Sequence, residues 1–284
     1  MGKSFFLGNG INRLTDNSSS WESVLRSLAE SVNELNLISP PFNEKPFTLV
    51  FEEIFLRSAR ASGVTEINLK NRAAKLIKEI PGNVFHSKFI NSGVNHIITT
   101  NYDYNFEKSE SEKIMKANVQ PETKYSLYRR RIQNSVNIWH IHGESSVANS
   151  LMLGHEHYSG ALQKMRSYLT RKKIISPFML GDNLFDENGK DYSWVDVFLR
   201  DNIHIIGFSL DYTEIDIWWL LSYKERLNLQ NKTVGETYFY HFYDKDLENK
   251  ELAKLDLLES FGVTVIKKMV KDKNSYDEEY QNLL

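Results

Sequence analysis

Two short runs of mostly β-branched residues break abruptly into polar side chains. The first is Ile97-Ile98-Thr99-Thr100-Asn101-Tyr102-Asp103, and the second is Ile203-His204-Ile205-Ile206-Gly207-Phe208-Ser209-Leu210-Asp211. A run that is apolar at successive positions suits a strand buried on both faces, as in a parallel sheet covered by helices. Amide, hydroxyl and carboxylate groups directly behind such a run stand at its carboxyl end, where open α/β sheets bind ligands. Alone, the first stretch reads equally well as a buried strand entering an Asx-type turn.

The neighbouring segments decide the architecture. Ser4 to Leu7 predicts a strand that enters Gly8-Asn9-Gly10-Ile11-Asn12, whose glycines permit close backbone approach to a ligand. Ser19 and Glu22 have capping-box spacing ahead of a helix through Trp21, Leu25, Leu28 and Leu35. Phe47 to Arg60 and Ile67 to Ile80 predict two more helices, closed by Gly63 and by Pro81-Gly82, and Val84 to Ile90 a short fourth. Further strands are expected at Asn95 to Thr100, Val136 to His140, Leu151 to Leu153, Ile203 to Ile206, Tyr238 to Tyr243 and Val263 to Ile266. Helices are expected from His155 to about Leu169, over Trp194 to Arg200, from Glu214 and up to Ser260. The tail from Asp272 is polar and reads as frayed.

The expected fold class is therefore α/β: a Rossmann-like, mainly parallel sheet with helices on both faces and a smaller helical lobe. One domain is expected over 1–284, with a helical insert at about 21–90 and a second, partly helical one at about 156–200.

Composition excludes several functions. The chain has 284 residues and no cysteine, which removes disulfides, thiol nucleophiles and thiolate metal sites. Lys plus Arg number 35 and Asp plus Glu 37, so no global basic field drives it onto nucleic acid, and direct nucleic-acid binding is not expected. The run Tyr128-Arg129-Arg130-Arg131 reads as a solvated basic face. No apolar stretch approaches the roughly 20 residues that span a bilayer, and a cytoplasmic location is expected. The pairs His140/His142 and His155/His157 place two imidazoles at alternate positions, yet no carboxylate completes an established ligand spacing, so no metal is expected. His142, followed by Gly143 at a strand end, can reach a ligand, whereas His140 lies inside the strand and reads as structural.

Four separated motifs, Gly8-Asn9-Gly10-Ile11-Asn12, Thr100-Asn101-Tyr102-Asp103, His142-Gly143 and Gly207-Phe208-Ser209, together resemble the sirtuin (SIR2) fold. The resemblance runs from residue 4 to about 266 and is nearest to the SIR2-like NAD-consuming domains of bacterial antiphage defence. It implies that Gly8, Asn9, Gly10 and Asn12 lie against the NAD+ phosphates, with Asn9 and Asn12 standing where Ala and Ser are common. It also implies that Thr100, Asn101 and Asp103 hold the ribose next to nicotinamide and that His142 is the catalytic histidine. Gly207 and Ser209 would face the phosphates and adenine ribose, and Tyr243 and Asp244 would border the adenine. Deacetylases of the family carry a four-cysteine zinc module with no counterpart in this cysteine-free chain.

The resemblance thus implies an NAD+ glycohydrolase (NAD+ nucleosidase) with Asn101 and His142 as catalytic residues and NAD+ as substrate. Depletion of NAD+ in abortive infection would be its role. A NAD-dependent protein deacylase and a non-catalytic NAD or ADP-ribose sensor are the alternatives. Homo-oligomers and a separately encoded activator, such as a HerA-like ATPase, are the expected partners.

Overall fold

A computed structural model describes residues 1–14, 20–32, 44–107, 124–175, 192–245 and 249–284. Its centre is a seven-stranded sheet. The strands are β1 (Lys3–Leu7), β2 (His96–Thr99), β3 (Arg130–Gln133), β4 (Val136–His140), β5 (Asn202–Ile206), β6 (Thr237–Tyr243) and β7 (Val263–Met269). They lie in the order β3-β4-β2-β1-β5-β6-β7, and every pairing is parallel except β3 with β4.

The chain leaves β1 toward β2 and β4 on one side and later returns to β5 on the other, so the strand order reverses at β1. Register makes that point a site. Leu7 lies abreast of Thr99 and Ile206, and Thr99 abreast of His140. The segments that follow these four residues therefore emerge side by side above the sheet.

The connections are the helices α1 (Gly10–Arg13), α2 (Trp21–Ser31), α3 (Phe47–Ser62), α4 (Glu66–Lys78), α5 (Val84–Ile90), α6 (His155–Ile175), α7 (Trp194–Arg200), α8 (Ile215–Leu229), α9 (Asn249–Ser260) and α10 (Lys273–Asn282). Helices α2 to α5 fall between β1 and β2, the region expected to be a helical insert. Local chemistry marks their ends. Thr65 and Asn83 form capping boxes at α4 and α5, and Gly63 closes α3 in the left-handed region at φ 66°. At α2 the capping side chain is Ser20, which accepts from the Ser23 N–H. Ser19 and Leu35 lie outside the described residues.

Leu25, Leu28, Phe51, Ile54, Leu69 and Ile77 form the core of this lobe together with Tyr102, Leu151 and Leu153 from loops at the carboxyl end of the sheet. Those shared residues seat the lobe over the strand ends. Helices α5 and α10 cover one face of the sheet through Phe85, Phe89 and Tyr280 packed on Phe5, Ile97 and Ile138. Residues of α6 to α9 cover the other, around Phe6, Trp139, Phe198, Leu220 and Leu258.

Three expectations are corrected. Leu151 to Leu153 is not a strand: a 3-10 turn at Ala148–Ser150 precedes it, and β3 already occupies the edge beside β4. The run Tyr128 to Arg131 is not a solvated face. Arg129 is buried and donates to the His140 carbonyl at 3.2 Å, the Arg130 guanidinium lies over Trp139 and Tyr192, and Arg131 pairs with Glu144 at 2.9 Å. The polar tail is not frayed, because Asp272 caps α10 and its Tyr280 is fully buried against Phe242 and Phe89.

Candidate active site

A cleft of about 720 Å³ opens at the point where the strand order reverses. That volume is typical of small-molecule and cofactor sites. Among the residues expected from the sequence, Asn9, Gly10, Thr100, Asn101, Asp103, His142, Gly207 and Ser209 line it. Gly8, Asn12, Tyr243 and Asp244 do not. Strand β6 pairs with β5 only as far as Phe239 but continues along β7 to Tyr243, so its last residues pass beyond the cleft and Phe239 to Phe242 form the wall.

The glycine turn and the loop after β5 are pressed together. Gly10 N–H donates to the Gly207 carbonyl at 2.7 Å, and a Cβ on Gly10 would stand 2.5 Å from the Gly207 Cα. Gly207 itself adopts φ 63°, which favours glycine. Gly8 therefore acts from beneath: its carbonyl accepts from Asn101 Nδ2 at 3.3 Å.

Asn101 is held from several directions. Its N–H donates to Thr99 Oγ1 at 3.0 Å, and Thr99 in turn donates to the Leu7 carbonyl at 2.9 Å. The Asn101 carbonyl accepts from His140 Nδ1 at 2.9 Å, while His140 Nε2 faces Glu107 at 2.8 Å. Both His140 nitrogens meet acceptors, so the charged ring fits the position. Burial disfavours that charge, but the Glu107 carboxylate prevails and raises the His140 pKa above its ordinary value. His140 is structural, as expected, and its structural task is to anchor Asn101.

His142 is buried, and its Nε2–H donates to Asp216 Oδ2 at 2.9 Å. Its carbonyl accepts from the Met152 N–H at 2.8 Å, and the Met152 carbonyl accepts from Tyr102 OH at 2.7 Å. Gly143 makes this clamp possible: its φ is 115°, and a Cβ there would stand 2.4 Å from the Ser150 carbonyl. The ring edge of Tyr158 packs on His142 at 5.0 Å, within an apolar group that includes Met152, Ala161, Tyr125 and Ile215.

The carboxylate of Asp103 accepts from Asn12 Nδ2 at 2.8 Å and from the Asn105 N–H at 3.0 Å, so its orientation is fixed. Asn12 lies behind the cleft as the support of Asp103. His140, His142 and His157 of the two His-x-His pairs serve separate partners, and His155 is exposed. His157 accepts from the Leu153 and Gly154 N–H groups and faces Glu66 at 2.8 Å. Among the described residues, no group of three or more His, Cys, Asp or Glu side chains could hold a metal ion.

Several residues in or next to the cleft were not singled out as candidates in the sequence. Asp216 lies 74 positions from His142 and is delivered by the first turn of α8. Glu214 lines the wall, and burial, followed by the Asp216 and Asp211 carboxylates, pushes its carboxyl well above the ordinary range. Arg13 and Lys254 bring cations to the cleft, and Lys254 donates to the Ser209 carbonyl at 2.9 Å while burial lowers its pKa. The sequence signal for Asp216 was its place at the end of the stretch Asp211 to Asp216, which leads into a Trp-rich helix and adds to the sirtuin resemblance.

A family model for the SIR2-like domain matches residues 95–266, well over half the chain. The chain belongs to the SIR2-like family. SIR2-like domains are in general NAD-dependent enzymes, so the activity of this one is NAD-related. A search of curated proteins finds no match. The matched stretch carries Asn101, His142, Asp216 and Gly207, and the glycine turn of β1 joins them through the contacts above. Among the described residues, no helix is long and apolar enough to cross a membrane.

Proposed function

We propose that the protein is an NAD+ glycohydrolase that splits NAD+ and water into nicotinamide, ADP-ribose and a proton. The observation that carries this reading is the convergence of Asn101 and His142 on one cleft at the strand ends, with the His142 imidazole held by Asp216. Nicotinamide leaves NAD+ as a neutral group from a cationic precursor, so the glycosidic bond breaks through an oxocarbenium-like state with little need for an acid.

The residues supply orientation and a base. Asn101 offers an uncharged amide, fixed from below by Gly8, Thr99 and His140, that can hold a ribose hydroxyl or the attacking water. Asp216 keeps the His142 proton on Nε2, which leaves Nδ1 as the basic nitrogen to take a proton from water or from a ribose hydroxyl. Asp103, both of whose oxygens accept hydrogen bonds, contributes a preorganised acceptor. Tyr158 packs against the imidazole and helps to fix its plane. The cysteine-free composition, which leaves no counterpart of the deacetylases' zinc module, favours water over an acyl-lysine as the nucleophile.

The wider reading is that residues 1–284 act as one catalytic domain in the cytoplasm, where a metabolic dinucleotide is at hand. There it would deplete NAD+ during abortive infection, as a homo-oligomer switched on by a separately encoded activator such as a HerA-like ATPase. The test is incubation of the purified chain with NAD+, alone and with co-encoded neighbours, in the presence and absence of an acylated-lysine peptide. Release of nicotinamide and ADP-ribose without peptide is expected. Consumption only with peptide would make the protein a deacylase, and binding without consumption would make it a sensor.

A further inference from the structure

A buried polar cluster lies behind the glycine turn, outside the cleft. Its members are Asn12, Asn83, His86 and Asn105, and Asn12, His86 and Asn105 are buried. Asp103 determines how the cluster is wired. A carboxylate only accepts, so the Asn12 amide must turn its Nδ2 toward Asp103, at 2.8 Å, and toward Asn9 Oδ1, at 2.9 Å. Asn12 Oδ1 then faces the other way, where Asn105 Nδ2 stands at 3.2 Å and His86 Nε2 at 3.1 Å.

His86 Nε2 must therefore carry a proton. Nδ1 lies 3.1 Å from the Asn83 N–H, and 3.2 Å and 3.1 Å from the Asn83 carbonyl and Oδ1; in the neutral ring it accepts from that N–H, part of the α5 capping box. Burial favours that neutral ring, against the pull of Asp103. Phe106 packs edge-on at 4.9 Å and holds the imidazole plane. The two positions that depart from the resembling pattern, Asn9 and Asn12, are thus joined in one hydrogen-bonded unit whose far end is His86.

We propose that His86 is a positioning residue: by holding Asn12 Oδ1 it fixes the Asn12 amide, and through that amide it sets Asp103 and Asn9 on the cleft wall for the substrate's ribose and phosphates. This rests on the NAD+ site proposed above. The opposite rotamer of Asn12 would set its oxygen against Asp103 and Asn9 Oδ1, so losing the His86 donor loosens both cleft residues without touching Asn101 or His142.

Two conservative variants of the full chain separate positioning from mere packing. His86→Gln carries an amide donor near the place of Nε2, and His86→Asn carries its polar group near the place of Nδ1. The expected result is a KM for NAD+ raised about tenfold in His86→Asn with kcat nearly unchanged, and largely restored in His86→Gln. In an Asn12→Ala background, His86→Asn should have no further effect on KM.

A second readout does not involve NAD+. Long-range proton–nitrogen NMR of the wild type should show the His86 proton on Nε2, and the Asn12 side-chain amide should exchange slowly in the wild type and fast in His86→Asn. The proposal is overturned if His86→Asn lowers thermal stability but leaves KM and Asn12 exchange unchanged, or if the proton is on Nδ1. If the wild type neither binds nor cleaves NAD+, the NAD+ reading falls, and the tautomer and amide exchange still decide the role of His86.

Discussion

The two walls of the cleft are built in different ways. At the ends of β1, β2 and β4, the residues Asn101, Asp103 and His142 are 5 %, 3 % and 2 % exposed. Each is fixed by at least two hydrogen bonds. At the ends of β5 and β6, Ser209 and Asp211 are exposed, and Thr213, His241, Glu251 and Lys254 are half-buried. The first wall has the rigidity that placing a water and a base requires; the second has the looser, wetter character of recognition surfaces. On the proposed function, chemistry and recognition would be divided across the strand reversal at β1.

The sharpest way to break this division is to strip the rigid wall. His142→Ala and Asn101→Ala should each lower NAD+ cleavage by about 10²- to 10⁴-fold with unchanged circular dichroism, since each side chain is a functional group on an otherwise intact scaffold. Asp216→Asn should cost about 10- to 100-fold, because its amide can present a donor to Nε2 and shift the imidazole tautomer. Full turnover in His142→Ala and Asn101→Ala would refute the assignment of chemistry to this wall.

The foundation of the second wall is a stability question. Tyr280 is fully buried among Phe85, Phe89, Phe242 and Tyr276, beneath Gly207. Tyr280→Ala should destabilise the fold by about 3–5 kcal/mol in chemical denaturation, as large-to-small changes at aromatic core positions do. A change under about 0.5 kcal/mol would mean that α10 is not docked.

A pH titration probes the anchor beneath Asn101. His140 has a raised pKa in the fold, so it contributes stability fully below its ordinary value of 6.5, and that contribution is lost as the pH rises through the folded value. Melting temperature should therefore fall as the pH rises above 6.5, and His140→Gln should flatten that dependence. An unchanged slope in His140→Gln would show that the ring is not charged in the fold. The smallest effect is expected at the open wall, where Lys254→Ala should raise KM by about two- to fivefold and leave kcat unchanged.

Much of this was legible in the sequence because parallel strands buried on both faces leave a simple pattern. The runs at Ile97 and Ile203 announced β2 and β5, and the polar residues behind them proved to share a cleft because parallel register aligns strand ends. What stayed hidden depends on long-range geometry. Asp216 reaches His142 only through the packing of α8, and the Asn12–His86 contact joins positions 74 residues apart. Edge strand β3 was masked by Arg130 and Arg131, whose guanidinium groups lie over Trp139 and Tyr192 and pair with Glu144, respectively. Helix α10 was masked by polar residues on its outer side, with Tyr276 and Tyr280 packed on its inner side.

The central claim is that water is the acceptor at the His142–Asn101 end of the cleft. The direct measurement is NAD+ turnover in water enriched with oxygen-18, with the products weighed by mass spectrometry. The account predicts equimolar nicotinamide and ADP-ribose, with one heavy oxygen in each ADP-ribose. NAD+ that stays intact, or a product that carries the ribose without a heavy oxygen, would contradict it.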